Sequence, residues 1–255
     1  MSYSDEDKPS AKVGRVLAFG VALLIASNVG RAIFGGGLSA EQAYEQEVAQ
    51  SSVLGPLFFV FKDRFPEDHA RFKAEVVAKL KAGATNAEIK AFSFNWMRAF
   101  MTSHKGDIAK APDPNLVKFA QAQSRVAQAL KVDSTAMCAH FVMSGLAQSD
   151  QPNDASARAL SDLVTAQLEA SAAGLADPHV RDTSTMSKPD AVALVTKMRS
   201  MGASESEIAI LGSSTGLSAE TPEVQCSIGS RMIEAAAALP SEQAARIAAF
   251  SVLAS

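Results

Sequence analysis

Residues 83–100 read GATNAEIKAFSFNWMRAF, and this stretch decides the fold class. A glycine stop at Gly83 is followed by Thr85-Asn86-Ala87-Glu88, the S/T-x-x-E pattern of a capping box, which opens a helix by satisfying its orphan backbone N–H groups. Ile89, Phe92, Trp96 and Phe100 follow at intervals of three and four, the spacing of one helical face. An aromatic stripe of that kind is read as core packing, not as a cofactor box. The same grammar extends in both directions.

Upstream, Pro66 opens a helix whose Phe72, Val76, Val77 and Leu80 share a face. Before it, Val53 to Phe65 (VLGPLFFVFKDRF) is strongly apolar but too short to span a bilayer. Core packing is its plain reading. Contact of Leu57, Phe58, Phe59 and Phe61 with a membrane surface or a partner is the sharper alternative. Ser39 and Gln42 cap a polar helix that serves as a spacer, so residues 35–52 are expected to be hinge and spacer.

Downstream, Pro112 and Pro114 precede a helix carrying Leu116, Phe119, Val126 and Leu130. A helix around Cys138 follows, then a turn over Ser149 to Asp154 and an amphipathic helix bearing Leu160, Leu163, Val164 and Leu168. Residues 177–189 read as loop. Helices are expected at 190–201, 205–213, 222–239 and 241–253. The alanine-rich, aromatic-poor composition agrees, since Ala, Leu, Met, Glu and Lys favour helix. The expected architecture is all-α, a bundle-like domain of about eight or nine helices over residues 53–255.

One internal echo runs through it. Gly83 to Ile89 resembles Gly202 to Ile208, each a glycine stop followed by a capping box, and Pro114 and Pro222 each precede a later helix. Two related halves would produce this, as would two separate uses of common cap chemistry.

Ahead of the domain, Val16 to Gly30 (VLAFGVALLIASNVG) is apolar and uncharged, flanked by Arg15 and Arg31. As a helix it spans about 22 Å, against a hydrocarbon core about 30 Å thick. Snorkelling arginines and the added Ala32, Ile33 and Phe34 bring it near spanning length. The expected organisation is a cytoplasmic tail (1–12), an anchor (13–34) built on Val16, Leu17, Phe19, Leu23, Leu24, Ile25, Ile33 and Phe34, and a Gly35-Gly36-Gly37 hinge. A cleaved signal peptide and a buried core helix compete with this reading. Lys8, Lys12 and Arg15 favour a cytoplasmic N-terminus, which puts the domain on the periplasmic or extracellular side of a single-pass inner membrane protein.

The 2 cysteines, Cys138 and Cys226, lie in apolar helical patterns about 90 residues apart. In an exported domain they read as a disulfide, worth about 4.5 kcal/mol on the chain-entropy model. Two free thiols in a helical core are the alternative. No CxxC or zinc spacing occurs.

Candidate chemistry is sparse. Gly212-Ser213-Ser214-Thr215-Gly216 fits G-x-S-x-G, but no histidine follows Ser214 and a capped helix precedes it. His69, His104, His140 and His179 form no i, i+4 pair. Asp150 and Asp154 lie in a turn without the EF-hand order, and Glu41, Glu45 and Glu47 read as a solvated helix face. No phosphate-cradling glycine motif is present, so no cofactor and no metal is expected. A net charge of −3 without basic runs argues against nucleic acid. The function expected from these readings is a membrane-anchored interaction or scaffold protein, with a protein partner or a second copy of itself. A membrane-proximal enzyme or small-ligand binder with a pocket between helices is the alternative.

Overall fold

The computed structural model describes residues 38–213 and 215–254. Among these every regular element is helical, and no strand occurs. The expected tail, anchor and glycine hinge at residues 1–37 lie outside the described residues. Within the described residues no helix is long and apolar enough to cross a membrane.

Twelve α-helices form the described chain, eleven of them after residue 53, where eight or nine were expected: α1 (Ala40–Gln50), α2 (Leu54–Arg64), α3 (Pro66–Lys81), α4 (Asn86–Ser103), α5 (Lys105–Ala109), α6 (Asp113–Asp133), α7 (Thr135–Ser144), α8 (Asp154–Ala176), α9 (Lys188–Ser200), α10 (Glu205–Gly212), α11 (Pro222–Ala237) and α12 (Ser241–Ala254). A 3₁₀ turn over Gly216–Ala219 joins α10 to α11. The five-residue α5 carries no readable periodicity, and that is how sequence patterning passes over it.

Caps fall where side-chain chemistry demands them. Ser39, Thr85 and Ser204 each complete a full capping box with Gln42, Glu88 and Glu207. At both glycine stops the chain makes the same pair of bonds: Gly83 and Ala84 donate to Leu80 and Lys79, and Gly202 and Ala203 donate to Arg199 and Met198. This Schellman geometry needs a left-handed residue, and the glycines supply it at φ 79° and 87°.

The echo stops there. The 18-residue α4 buries Ile89, Phe94, Met97 and Phe100, whereas the 8-residue α10 has no fully buried residue. The preceding helices also present different phases, Leu80 buried three residues before its glycine and Met198 four. Cap chemistry is shared; the helix faces are not.

Two hydrophobic cores share one helix. The first gathers Tyr44 of α1, Phe58 and Phe61 of α2, Phe72 and Val76 of α3, and Ile89 and Phe100 of α4. The second gathers the apolar faces of α5–α7, α9, α11 and α12. Helix α8 serves both: Leu160, Leu163, Ala166 and Ala170 face the second core, and Val164 and Leu168 face the first. Adjacent positions on a helix point about 100° apart, so a 23-residue helix can line two cores at once.

Two expectations change on this geometry. Helix α1 is a core helix and not a spacer, since Ala40, Ala43 and Tyr44 are buried against α2 and α3. Surface contact through Leu57, Phe58 and Phe61 is also displaced. All three are buried in the first core, and of the four only Phe59, 74% exposed, faces outward.

Candidate functional site

The cysteines come together deep in the second core. Ser134 caps α7 by accepting from the Met137 N–H, and Pro222 opens α11. These helices pack side by side with Cys138 and Cys226 facing each other, Cα atoms 5.2 Å apart and sulfurs 1.99 Å apart, at disulfide distance. Both residues are buried. The buried Ser230 hydroxyl lies 3.3 Å from Cys138 Sγ, one helical turn beyond Cys226. The pairing joins two helices across a sequence separation of 88 residues.

Each histidine has a defined setting. The buried carboxylate of Asp150 accepts from the Ala147 N–H at 2.7 Å and holds His140 Nδ1 at 3.1 Å from both oxygens. Half of the His140 side chain is exposed. His104 Nδ1 lies 2.8 Å from Asp107 Oδ2, with its ring against Phe65 and Phe100. His69 packs edge-on against Phe58 and Phe61. Its partial burial, reinforced by Lys62, holds its pKa below the usual imidazole range. His179 lies 3.3 Å from Asp177. His104 belongs to the aromatic core and His140 to α7 of the other, so these two do not converge; Arg98 lies on the exposed side of α4.

The helix α10 precedes the G-x-S-x-G stretch, in place of the strand a nucleophile elbow requires; Ser214 itself lies outside the described residues. Asp150 is buried in its turn while Asp154 sits exposed in the first turn of α8. Glu41 and Glu45 grip Lys73 of α3 at 2.9 and 2.5 Å, tying α1 to the domain. Among the described residues no three His, Cys, Asp or Glu side chains stand close enough to hold a metal ion. The aromatic stripe is core with a charged lid: Lys79 lies 4.9 Å over Phe92 and Arg71 lies 5.7 Å over Trp96.

Sequence reading missed two further groups. Asp190, at the start of α9, is 2% exposed and takes a two-pronged bond from Arg246 of α12 (2.7 and 2.9 Å) plus one from the Ser187 hydroxyl. The Arg246 guanidinium holds the Asp190 carboxyl below its ordinary range. Helical spacing carries no signal for a pair 56 residues apart. The second group is polar and buried. Tyr44, Ser93, Ser156, Gln167 and Ser171 each have a side-chain oxygen without a hydrogen-bond partner among the described residues. Burial raises the Tyr44 phenol well above its usual pKa.

Comparison of the chain with family models, with curated proteins and with solved structures finds no match.

Proposed function

We propose that this chain is a membrane-tethered interaction protein, held by its N-terminal apolar segment with the helical domain on the periplasmic or extracellular side. The observation that carries the reading is the Cys138–Cys226 pair, buried and at disulfide distance. Stable disulfides belong to oxidising compartments, and the apolar segment at Val16 to Gly30 with its upstream lysines supplies a route there. A tether confines the domain to partners near the membrane, either another protein or a second copy.

The test is a thiol-trapped, non-reducing peptide map of the protein taken directly from cells, combined with cross-linking in those cells. A linked Cys138–Cys226 peptide and a reproducible cross-linked species support the reading. Cysteines that alkylate freely in the cell place the domain on the reducing side and overturn it.

A ligand-binding role is the second reading. It draws on the buried oxygens of Tyr44, Ser93, Ser156, Gln167 and Ser171, which have no hydrogen-bond partner among the described residues and which in a protein interior are met by ordered water or by a ligand. Replacing Gln167 with Met discriminates. A side chain with only a structural role gains or keeps stability on losing an unsatisfied amide, whereas a ligand contact loses ligand-dependent thermal stabilisation.

A further inference from the structure

Helix α10 stands apart from the other eleven. Its sequence, ESEIAILG, is apolar in composition, yet none of its residues is fully buried. Ile208, Ile210 and Leu211 rest half-covered on the second core. At eight residues it is far too short to be stable alone. It is bracketed by Gly202 at φ 87° and Gly216 at φ 54°, and a Cβ at either would meet open space.

The chain is anchored on both sides of this segment. Before it, Met198 is fully buried in α9. After it, Leu217 is buried and its carbonyl accepts from Gln225 Nε2 of α11. Between the anchors, two ion pairs supplement the half-covered apolar contacts. Arg199 forks onto Glu205 at 2.7 and 2.8 Å on the exposed side. Arg231 of α11 reaches Glu207 at 2.6 Å, with both side chains largely covered. Glu207 does two jobs with its two oxygens. Oε2 accepts from the Ser204 N–H to close the capping box, and Oε1 takes the Arg231 guanidinium. The carboxylate that starts the helix is also the one that fastens it down.

We propose that α10 is a latched flap, which lifts as a unit about Gly202 and Gly216 while α9, α11 and α12 stay folded, with the Arg231–Glu207 pair as the latch. Local opening of this kind draws on segments with few buried contacts. The latch makes it sensitive to ionic strength, since a partly exposed ion pair weakens as salt rises.

Hydrogen exchange followed by mass spectrometry on the full chain tests this. Amides of 205–212 are expected to exchange faster than those of α9 and α11 in the unmodified protein. Arg231→Gln leaves the capping box intact and should speed exchange of 205–212 about 1.5- to fivefold, with α12 unchanged. Raising salt to about 1 M on the unmodified protein, a measurement independent of whether Arg231→Gln folds, should push the same peptides in the same direction. Equal exchange across α9, α10 and α11 overturns the flap. A salt- and Arg231-independent rate in 205–212 overturns the latch.

Discussion

Gly229 of α11 lies against Val142 of α7 so closely that a Cβ added to the glycine would fall 2.6 Å from Val142 Cβ. One turn back along each helix are Cys226 and Cys138, the pair at disulfide distance. The close approach and the sulfur pair are features of one helix crossing. Gly229→Ala should therefore destabilise the protein by about 1–3 kcal/mol through overpacking, read as a lower denaturation midpoint in urea. Gly106→Ala is the matched control. It lies in α5 with open space around it, and it should be neutral or stabilising by up to about 1 kcal/mol.

Replacing both cysteines with alanine should lower stability by about 2–5 kcal/mol, the usual cost of losing a native disulfide. Because both sulfurs are buried, the bridge should resist dithiothreitol in native buffer and be reduced readily once denaturant is added. Alkylation mass shifts under the two conditions check this. Rapid reduction of the native protein would contradict the burial.

The pair between Asp190 and Arg246 predicts a definite pH response. Its carboxyl titrates lower in the folded chain than in the unfolded one, chiefly because Arg246 bonds it. The associated stability is therefore complete above the ordinary carboxylate range and is lost as pH falls through the depressed folded value. Thermal melts between about pH 5 and pH 2 should show a steeper decline for the unmodified protein than for Asp190→Asn. Arg246→Met strands a buried carboxylate and should cost about 3 kcal/mol near neutral pH.

Helix α2 separates surface from core within one aromatic run. Phe61→Ala should cost about 3–5 kcal/mol, since it empties the centre of the first core, where the ring touches Phe65, Phe72, Trp96 and Phe100. Phe59→Ser should change stability by less than about 0.5 kcal/mol. If α2 meets the membrane surface, that same change should reduce co-sedimentation with anionic vesicles of the chain lacking residues 1–37, whose apolar segment would otherwise hold it to the vesicles regardless. Unaltered sedimentation would remove the membrane role from α2.

Much of the helical plan is legible in the sequence because its signals are local. A capping box, a glycine stop and a proline in a first turn act over three or four residues, and Thr85–Glu88, Gly83 and Pro66 do as structure what they announce as letters. Apolar positions at helical spacing, such as Leu116, Phe119, Val126 and Leu130, are all buried for the same reason. The cysteine pairing is half-legible: two cysteines allow only one intrachain bridge, but nothing local brings their Cα atoms to 5.2 Å.

The rest belongs to tertiary structure, because it depends on which distant surface covers a given face. The run Leu57-Phe58-Phe59 is uniformly apolar, and only the packing of α1, α3 and α8 around α2 decides that Phe59 is the one left out. Helix α8 reads as amphipathic with one face, yet partners on two sides make it the shared wall of two cores. The capping boxes of α4 and α10 are chemically alike, but one helix is driven into a core and the other rests on its surface. Caps and periodicity specify helices one at a time. Burial and charge pairing are sums over neighbours far away in the chain, so the site geometry at Cys138–Cys226, Asp190–Arg246 and Glu207–Arg231 exists only once those neighbours have met.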